Sequence, residues 1–598
     1  MMSSTQKYQV NQYTIKNILN WVDSEEMAIP EIQRPFVWNK KQVTNLIDSL
    51  YRGFPVGYLI AWKNPKIRMK DGTLSGGKKI LIDGQQRVTA LTTSVLGREV
   101  VNDDYFKERI QIAFNPITEE FASLNPAIEK DSSWIHDVGP IINGTARISQ
   151  IIRDYCKKNP KEDELIVEDH LENLKQVSSK QIGFVELEPE LDIDTVNEIF
   201  VRVNSAGVQL SQADFVMSKI ATYGIFGSNL RKCIDYFCNL AVAPEFITQL
   251  EKVDTEFHDT EYFKKIEWLK NENDDLYDPG YTDMLRVAFT SQFNRGKMGD
   301  LVSLLSGRNF ETKTYESDIQ SESFKLLEKG ILKFANETNF KRFLMIIKSA
   351  GFIDSSLIQS QNAVNFAYIL YLKLRNINLE QNKIETLVRR WYVMSVLTGR
   401  YSASPESMYD QDVKKISKDF EKEIQYVEDT ALSDAFWDVQ LVTELEKSNR
   451  NNPFLSVFFA SQVKEHDMGF LSTDIPVSDL ISERGDVHHI FPKNYIKKKF
   501  NSRRDYNQIA NYVFTQTEIN IAIKDTAPSK YFDELKEQCS GGEEKYGGIN
   551  KIEVLKENMK QNCIPESIFE MTVDDYFEFL NQRRVLMAKK IKEYYQSL

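Results

Sequence analysis

Cysteine is scarce in this chain. Among 598 residues there are five, an odd number, with no CxxC pair. That argues against a disulfide framework and against a cysteine-ligated zinc site, and it predicts a reducing, cytoplasmic setting. Long hydrophobic runs are missing as well. No stretch approaches the roughly eighteen consecutive apolar residues of a membrane-spanning helix, so no membrane association is expected. The opening "MMSSTQKYQV" lacks a basic segment followed by an apolar one, so no signal peptide is expected. A positive balance is absent too: net charge is −12 and the isoelectric point is about 5.4. This disfavours a chain that coats nucleic acid indiscriminately but leaves room for a local basic groove. Internal repeats and long low-complexity tracts are also lacking.

What is present is ordinary globular composition, 41% hydrophobic and 27% charged, on a chain too long for one core. Three regions are expected. Residues 1–220 mix strand and helix signals. In "KKQVTNLIDSLYRG" Val43, Leu46, Ile47, Leu50 and Tyr51 recur at helical spacing, with Gly53 as a stop. "VGYLIAW" and "KKILI" read as strands, and "QQRVTALTTSVLG" as a helix following the second of them. Residues 221–450 are helical by pattern, most clearly in "QNAVNFAYILYLKL" and "KIETLVRRWYVMSVLTG", and are read as a connector. "SNRNNP" breaks the pattern, and residues 451–598 follow.

Two places carry chemistry. The first is "LIDGQQRVTAL", in which a strand ends at Asp83, Gly84 turns the chain and a helix begins near Gln85. A glycine before a helix N-terminus suits a phosphate, because unpaired N–H groups and the dipole face it. Arg87 would add donors one turn in, and Asp83 could hold a magnesium ion or a water. From local pattern alone an ordinary strand–helix junction, with Asp83 as N-cap and Arg87 in a surface pair, is the favoured reading. The preceding "GTLSGGKK" nearly matches a P-loop. It is rejected because Lys79 stands where Ser or Thr is needed and because the loop precedes its strand. Gln33 and Arg34 in "IPEIQRPFVW", and Arg202 and Asn204 in "FVRVNSAGVQLSQADF", are further candidates for the same pocket; Ser211 with Asp214 reads as a helix-start box.

The second is "RGDVHHIFPKN". The chain has six histidines, and two are adjacent here. A regular strand would turn His488 and His489 to opposite faces. Downstream, "ANYVFTQ" reads as a strand with Asn511 at its start, and "TEINIAIKD" as a helix with Thr517 as cap and Asn520 near the first turn. Phosphodiester hydrolysis needs a base near neutral pH and a cation for the developing charge, and His and Asn can serve both needs. Lys493, Lys497, Lys498, Lys499, Arg503 and Arg504 crowd the next stretch and are candidates for DNA contact, although an isolated basic run is more often a solvated face. A pair of structural histidines in a hairpin is the competing interpretation.

The blocks "PEIQRPFVWNKKQVTNLIDSLYRGFPVG", "LIDGQQRVTAL" and "FVRVNSAGVQLSQADF", in this order, resemble the ParB-like N-terminal domain of the GmrSD family of modification-dependent restriction systems, which includes the phosphorothioate-sensing SspE type. The resemblance implies nucleotide binding and hydrolysis at Asp83, Gly84, Gln85, Gln86 and Arg87. "HHIFP" with Asn511 and Asn520 resembles the ββα-metal HNH nuclease domain at the C-terminus of the same family. It implies His489 as general base, His488 and Asn520 as metal ligands and Asn511 as the orienting asparagine. Asp486 is an additional or alternative ligand, and Asn507 and Asn494 are rivals for the asparagine roles. His488 departs from the Asp or Glu of many HNH proteins, which leaves the metal open, with Mg²⁺ or Mn²⁺ favoured. The expected fold is α+β multidomain: a ParB-like α/β N-terminal domain, an α-helical middle and an HNH C-terminal domain. The expected function is an NTP-regulated, modification-dependent DNA endonuclease in defence. The cofactors would be a divalent metal and a nucleoside triphosphate. The partner would be DNA bearing a sugar-modified base or a phosphorothioate, and a homo-oligomer is left open. A nucleotide-hydrolysing DNA-binding regulator with an inactive HNH region, or an RNA-cleaving toxin, are the alternatives.

Overall fold

The computed structural model describes residues 7–24, 26–28, 38–62, 79–101, 107–189, 191, 199, 212–221, 223–272, 274–377, 379–416, 420–448, 451–483, 485, 487–500 and 502–598. Gln33, Arg34, Arg202, Asn204, Ser211 and Asp486 lie outside them, as does the Gly-rich loop before Lys79. The chain falls into two compact units, Met1–Tyr262 and Phe263–Leu598. The sequence boundary at 220 therefore falls inside the first unit, where the helix after it packs on the one before, and that at 450 falls inside the second.

In the first unit, β1 (Tyr8–Thr14) leads into α1 (Ile15–Asp23), then β2 (Met27–Ala28), α2 (Lys40–Tyr51), β3 (Tyr58–Trp62), β4 (Lys79–Asp83) and α3 (Gln85–Ser94). After a hairpin and further helices come β5 (Gln181–Leu187), α4 (Gln212–Ala221) and α5 (Gly224–Val242). The five strands form one mixed sheet in the order β1-β5-β3-β4-β2. Strand alternation gives it two apolar faces. Leu59, Ala61, Leu81, Ile182 and Phe184 join the main core with the helices, while Ile60, Trp62, Ile82 and Leu187 form a smaller cluster. Helix α2 starts at an Asn39–Gln42 capping box and buries Val43, Leu46, Ile47 and Leu50, the stripe its spacing predicts. It stops where Gly53 takes φ 72°. Lys79 opens β4 with its ammonium 2.5 Å from Glu186 and over the Trp21 ring. It is thus a strand residue in a structural pair.

The second unit is mostly helical. Helices α6 (Tyr281–Phe293), α7 (Ser317–Phe334), α8 (Gln361–Leu374), α9 (Gln381–Leu397) and α10 (Pro453–Lys464) pack around aromatic side chains. Phe343, on the helix between α7 and α8, stacks on Tyr368 at 4.5 Å. Arg400 grips the fully buried Asp412 through two hydrogen bonds. A two-stranded antiparallel hairpin follows, β6 (Val487–His489) with β7 (Tyr512–Phe514), and then α11 (Thr517–Ile523). Gln516, not Thr517, is the residue before α11, and it gives no side-chain cap. The 22-residue α12 (Tyr576–Ser597) ends the chain. Among the described residues no helix is long and apolar enough to cross a membrane, and no disulfide links any of the five cysteines.

Candidate functional site

At the start of α3 the geometry differs from the local expectation. Gly84, not Asp83, is the N-cap, at φ 92° and with no side-chain cap bond. A Cβ there would lie 2.2 Å from Leu59 Cδ2. The glycine is therefore required both by its left-handed backbone and by the core packing of β3. Asp83 Oδ2 instead accepts from Arg87 Nη2 at 3.0 Å, and Arg87 Nη1 donates to the Val56 carbonyl at 3.0 Å. Gly57, at φ 86°, leaves room for that guanidinium, since a Cβ on it would meet Nη1 at 2.6 Å. Gln85 and Gln86 are buried, and Gln86 Oε1 accepts the Trp38 N–H at 3.3 Å. The first intrahelical bond runs from Val88 N–H to Gly84 O. The helix's own hydrogen-bond ladder thus begins at Val88. For a phosphate, the donor this end offers is the Arg87 guanidinium, which here holds Asp83 and the Val56 carbonyl. Asp214 is buried in the first turn of α4.

In the second unit the hairpin register sets Val487 against Phe514, His488 against Val513 and His489 against Tyr512. Both histidines are half-buried. The strand end is closed by Asn511, which is fully buried. Its Oδ1 accepts the Phe491 N–H at 2.8 Å and its Nδ2–H donates to the Phe491 carbonyl at 3.0 Å. Ile490 N–H donates to Asn511 O at 2.9 Å, and Tyr531 donates to the Ile490 carbonyl. Asn511 therefore shapes the backbone beyond His489 and does not bond its ring. The His489 ring meets Tyr512 edge-on at 5.1 Å, and its Nε2 lies 3.4 Å from Asn507 Oδ1. Asn494 is exposed. Asn520 is half-buried on α11, the helix that follows the hairpin.

The six cations of the basic run are exposed. Lys493 and Lys497 both lie 5.2 Å from the Tyr506 ring, and Lys498 lies over Tyr495. Lys499 pairs with Asp574, and it alone of the six has an ion-pair partner among the described residues. The run begins after Pro492 and ends at Arg504, shortly before Asn507, whose Oδ1 meets the His489 ring.

Two residues that motif reading passed over support this site. Arg583 and Arg584, adjacent on α12, are 0% and 7% exposed. Arg583 donates to the carbonyls of Ala510, Tyr512 and Asn562 at 2.9–3.2 Å. It has no carboxylate partner among the described residues, and burial pushes its guanidinium down to about 10. Arg584 donates to Gln508 Oε1 at 3.0 Å. The available signal was an arginine in the apolar stripe Tyr576, Leu580, Arg583, Met587, Ile591 and Tyr594, since an arginine in a core row needs acceptors.

Of the residues expected to hold a metal, His488 and Asn520 are among the described residues and Asp486 is not. Among the described residues no three His, Cys, Asp or Glu side chains group as a metal cage. Mg²⁺ is held through one or two carboxylates plus substrate phosphate, and neither His488 nor Asn520 is a carboxylate.

Residues 15–221 match the family model of the GmrSD restriction endonuclease N-terminal domain. The uncharacterized protein MJ0686 of Methanocaldococcus jannaschii is 25% identical over 633 aligned residues, covering 97% of this chain and 98% of that protein. The first part of the chain, through the end of α4, is thus similar to the N-terminal domain of the GmrSD restriction endonuclease.

Proposed function

We propose that this chain is a metal-dependent DNA endonuclease of the restriction type, with His489 as general base in an HNH-like hairpin–helix site. The observation that carries the reading is the closure of the hairpin by Asn511. It fixes the chain just past His489, in a hairpin followed by the helix that bears Asn520, with exposed cations in the stretch after Pro492. Similarity of residues 15–221 to a restriction endonuclease domain supports DNA as the substrate.

In this reading His489 takes the proton of a water whose oxygen attacks phosphorus, while the P–O bond to the leaving oxygen breaks. His488 and Asn520, with Asp486, would hold a divalent cation, which supplies charge neutralisation on the scissile phosphate. Lys493, Lys497, Lys498, Arg503 and Arg504 hold the DNA backbone by charge. The first unit binds a nucleoside triphosphate at the start of α3, where Arg87 would exchange Asp83 for phosphate, and it senses modified DNA.

The test is nicking of supercoiled plasmid with Mg²⁺ or Mn²⁺. Plain, glucosylated and phosphorothioated DNA would be compared, each with and without NTP. His489→Ala abolishes nicking if the reading is right. NTP turnover without cleavage of any DNA would favour a regulator instead, and cleavage of RNA alone a toxin.

A further inference from the structure

We propose that a cleft beside the hairpin takes a nucleobase bearing an exocyclic amine, unpaired from its strand next to the scissile phosphate. The inference rests on the reading of His489 as the general base of a DNA nuclease. The cleft has a volume of about 480 Å³, within the range of ordinary ligand pockets. Val487 and Phe514, the first pair of the hairpin, form one wall of it. Strand alternation sets them on the same face as His489 and Tyr512, the pair two residues on. At about 3.4 Å per residue the two pairs lie about 7 Å apart. A phosphate at His489 and a base in the cleft can therefore belong to one nucleotide or to close neighbours, since a DNA strand rises about 3.4 Å per step.

The cleft suits a flat ring with polar edges. Phe459, on α10, meets Phe514 at 4.6 Å with the rings inclined at 62°. The pair makes an aromatic wall on which a base can stack. Ser456, on the same helix, borders the cleft and is 5% exposed. Among the described residues its hydroxyl has no hydrogen-bond partner. A buried hydroxyl left that way is destabilising, and a ligand in the cleft would satisfy it. Gln359 gives its Nε2–H to the Ser356 carbonyl at 2.8 Å, which leaves Oε1 without a partner among the described residues. Asp354 accepts the Ser356 N–H at 2.8 Å on Oδ1, and its Oδ2 has no partner among the described residues either.

The lining thus offers an amide oxygen, a carboxylate oxygen and a hydroxyl that serves either way. Acceptors of this kind read the exocyclic N–H₂ of adenine or cytosine, and thymine has none. A base inside a duplex cannot enter a recessed cleft. It must leave the stack, which is easiest where it is already unpaired. The cleft would make cleavage depend on the pairing state beside the cut, which contacts to phosphate alone do not supply.

The test uses the full chain and a duplex oligonucleotide with one mismatch, in which the unpaired base is adenine, cytosine or thymine. With Mg²⁺ or Mn²⁺, nicks should gather within about two nucleotides of a mismatched adenine or cytosine. They should form at least about tenfold faster than in the fully paired duplex, and a mismatched thymine should give no such gain. The gain is a ratio taken within one preparation. In the double variant Ser456→Ala with Gln359→Leu it should fall to within about twofold of unity. Gln359→Leu alone, at a half-buried position, should already reduce it. In EDTA, 2-aminopurine at the mismatched position, which carries an exocyclic amine, should brighten when the parent binds and stay dark with the double variant. Evenly spread nicks, an equal gain with thymine, or a full gain in the double variant overturns the proposal. Where His489→Ala still nicks, the general-base reading falls, and the 2-aminopurine signal in EDTA still judges the cleft. Where His489→Ala is inactive and 2-aminopurine stays dark with the parent, the cleft alone is misassigned.

Discussion

Asn511 holds Phe491 from both sides, taking its N–H at 2.8 Å and giving a hydrogen bond to its carbonyl at 3.0 Å, in a place with no solvent exposure. Asn511→Ala would leave a buried donor and a buried acceptor unpaired, at about 1–3 kcal/mol each. A urea melt should therefore show a loss of about 2–6 kcal/mol. Nicking should fall more steeply than the folded fraction, because the chain past His489 loses its shape. An unchanged melt would show that the two bonds contribute nothing.

Arg583 satisfies three carbonyls from a fully buried position. Arg583→Met fills much of the space but strands those carbonyls, and about 3–5 kcal/mol of stability should be lost. Arg583→Lys, with fewer directional donors, should lose less. Hydrogen exchange at the β7 amides reports the effect locally, and equal protection in Arg583→Met and the parent would argue against the clamp.

Gly84→Ala combines a left-handed backbone with a Cβ 2.2 Å from Leu59 Cδ2. About 2–4 kcal/mol should be lost from the first unit, since Leu59 is core and cannot retreat freely. Thermal melting followed by limited proteolysis of residues 1–262 measures this. A melt equal to the parent would mean that the β4–α3 turn is looser than its packing implies.

Burial raises the Asp467 carboxyl from its ordinary 3.8 to about 6, against the pull of Lys590. The folded state thus favours the protonated form, so this contribution is full below about pH 4 and is lost as pH rises through about 6. Asp467→Asn should raise the melting temperature at pH 8 by about 2–5 °C and leave it unchanged at pH 4. Lys590 keeps Glu465 at 2.5 Å in that variant. Equal gains at both pH values would assign the effect to something other than ionisation.

Lys497 and Lys498 are exposed and have no ion-pair partner among the described residues. Reversing both to Glu should weaken duplex binding in EDTA and reduce the slope of log affinity against log salt by about 2. An unchanged slope would return the basic run to a solvated face.

Much of the local structure was legible before any contact was known. The α2 stripe, the strands at 58–62 and 79–83, and helices α8 and α9 follow from apolar spacing and from glycine stops. Finer points were not. Asp83 looked like an N-cap, but the carboxylate turned to Arg87 because a left-handed Gly84 already made the turn. Thr517 looked like a cap, yet the helix begins on it. The two compact units divide between Tyr262 and Phe263, a division set by which elements pack together.

The sequence by itself determined which segments are strands and helices, that His488 and His489 share a strand, and that cations follow them. Those properties depend on residues a few positions apart. Only the tertiary structure decided that Asn511 serves the backbone and that Asn507 meets His489. It also decided that Arg583 reaches Tyr512 across 71 positions of chain. Such contacts depend on how distant elements pack. The spacing of residues along a strand or helix carries the sign of a buried polar group but not the identity of its partner.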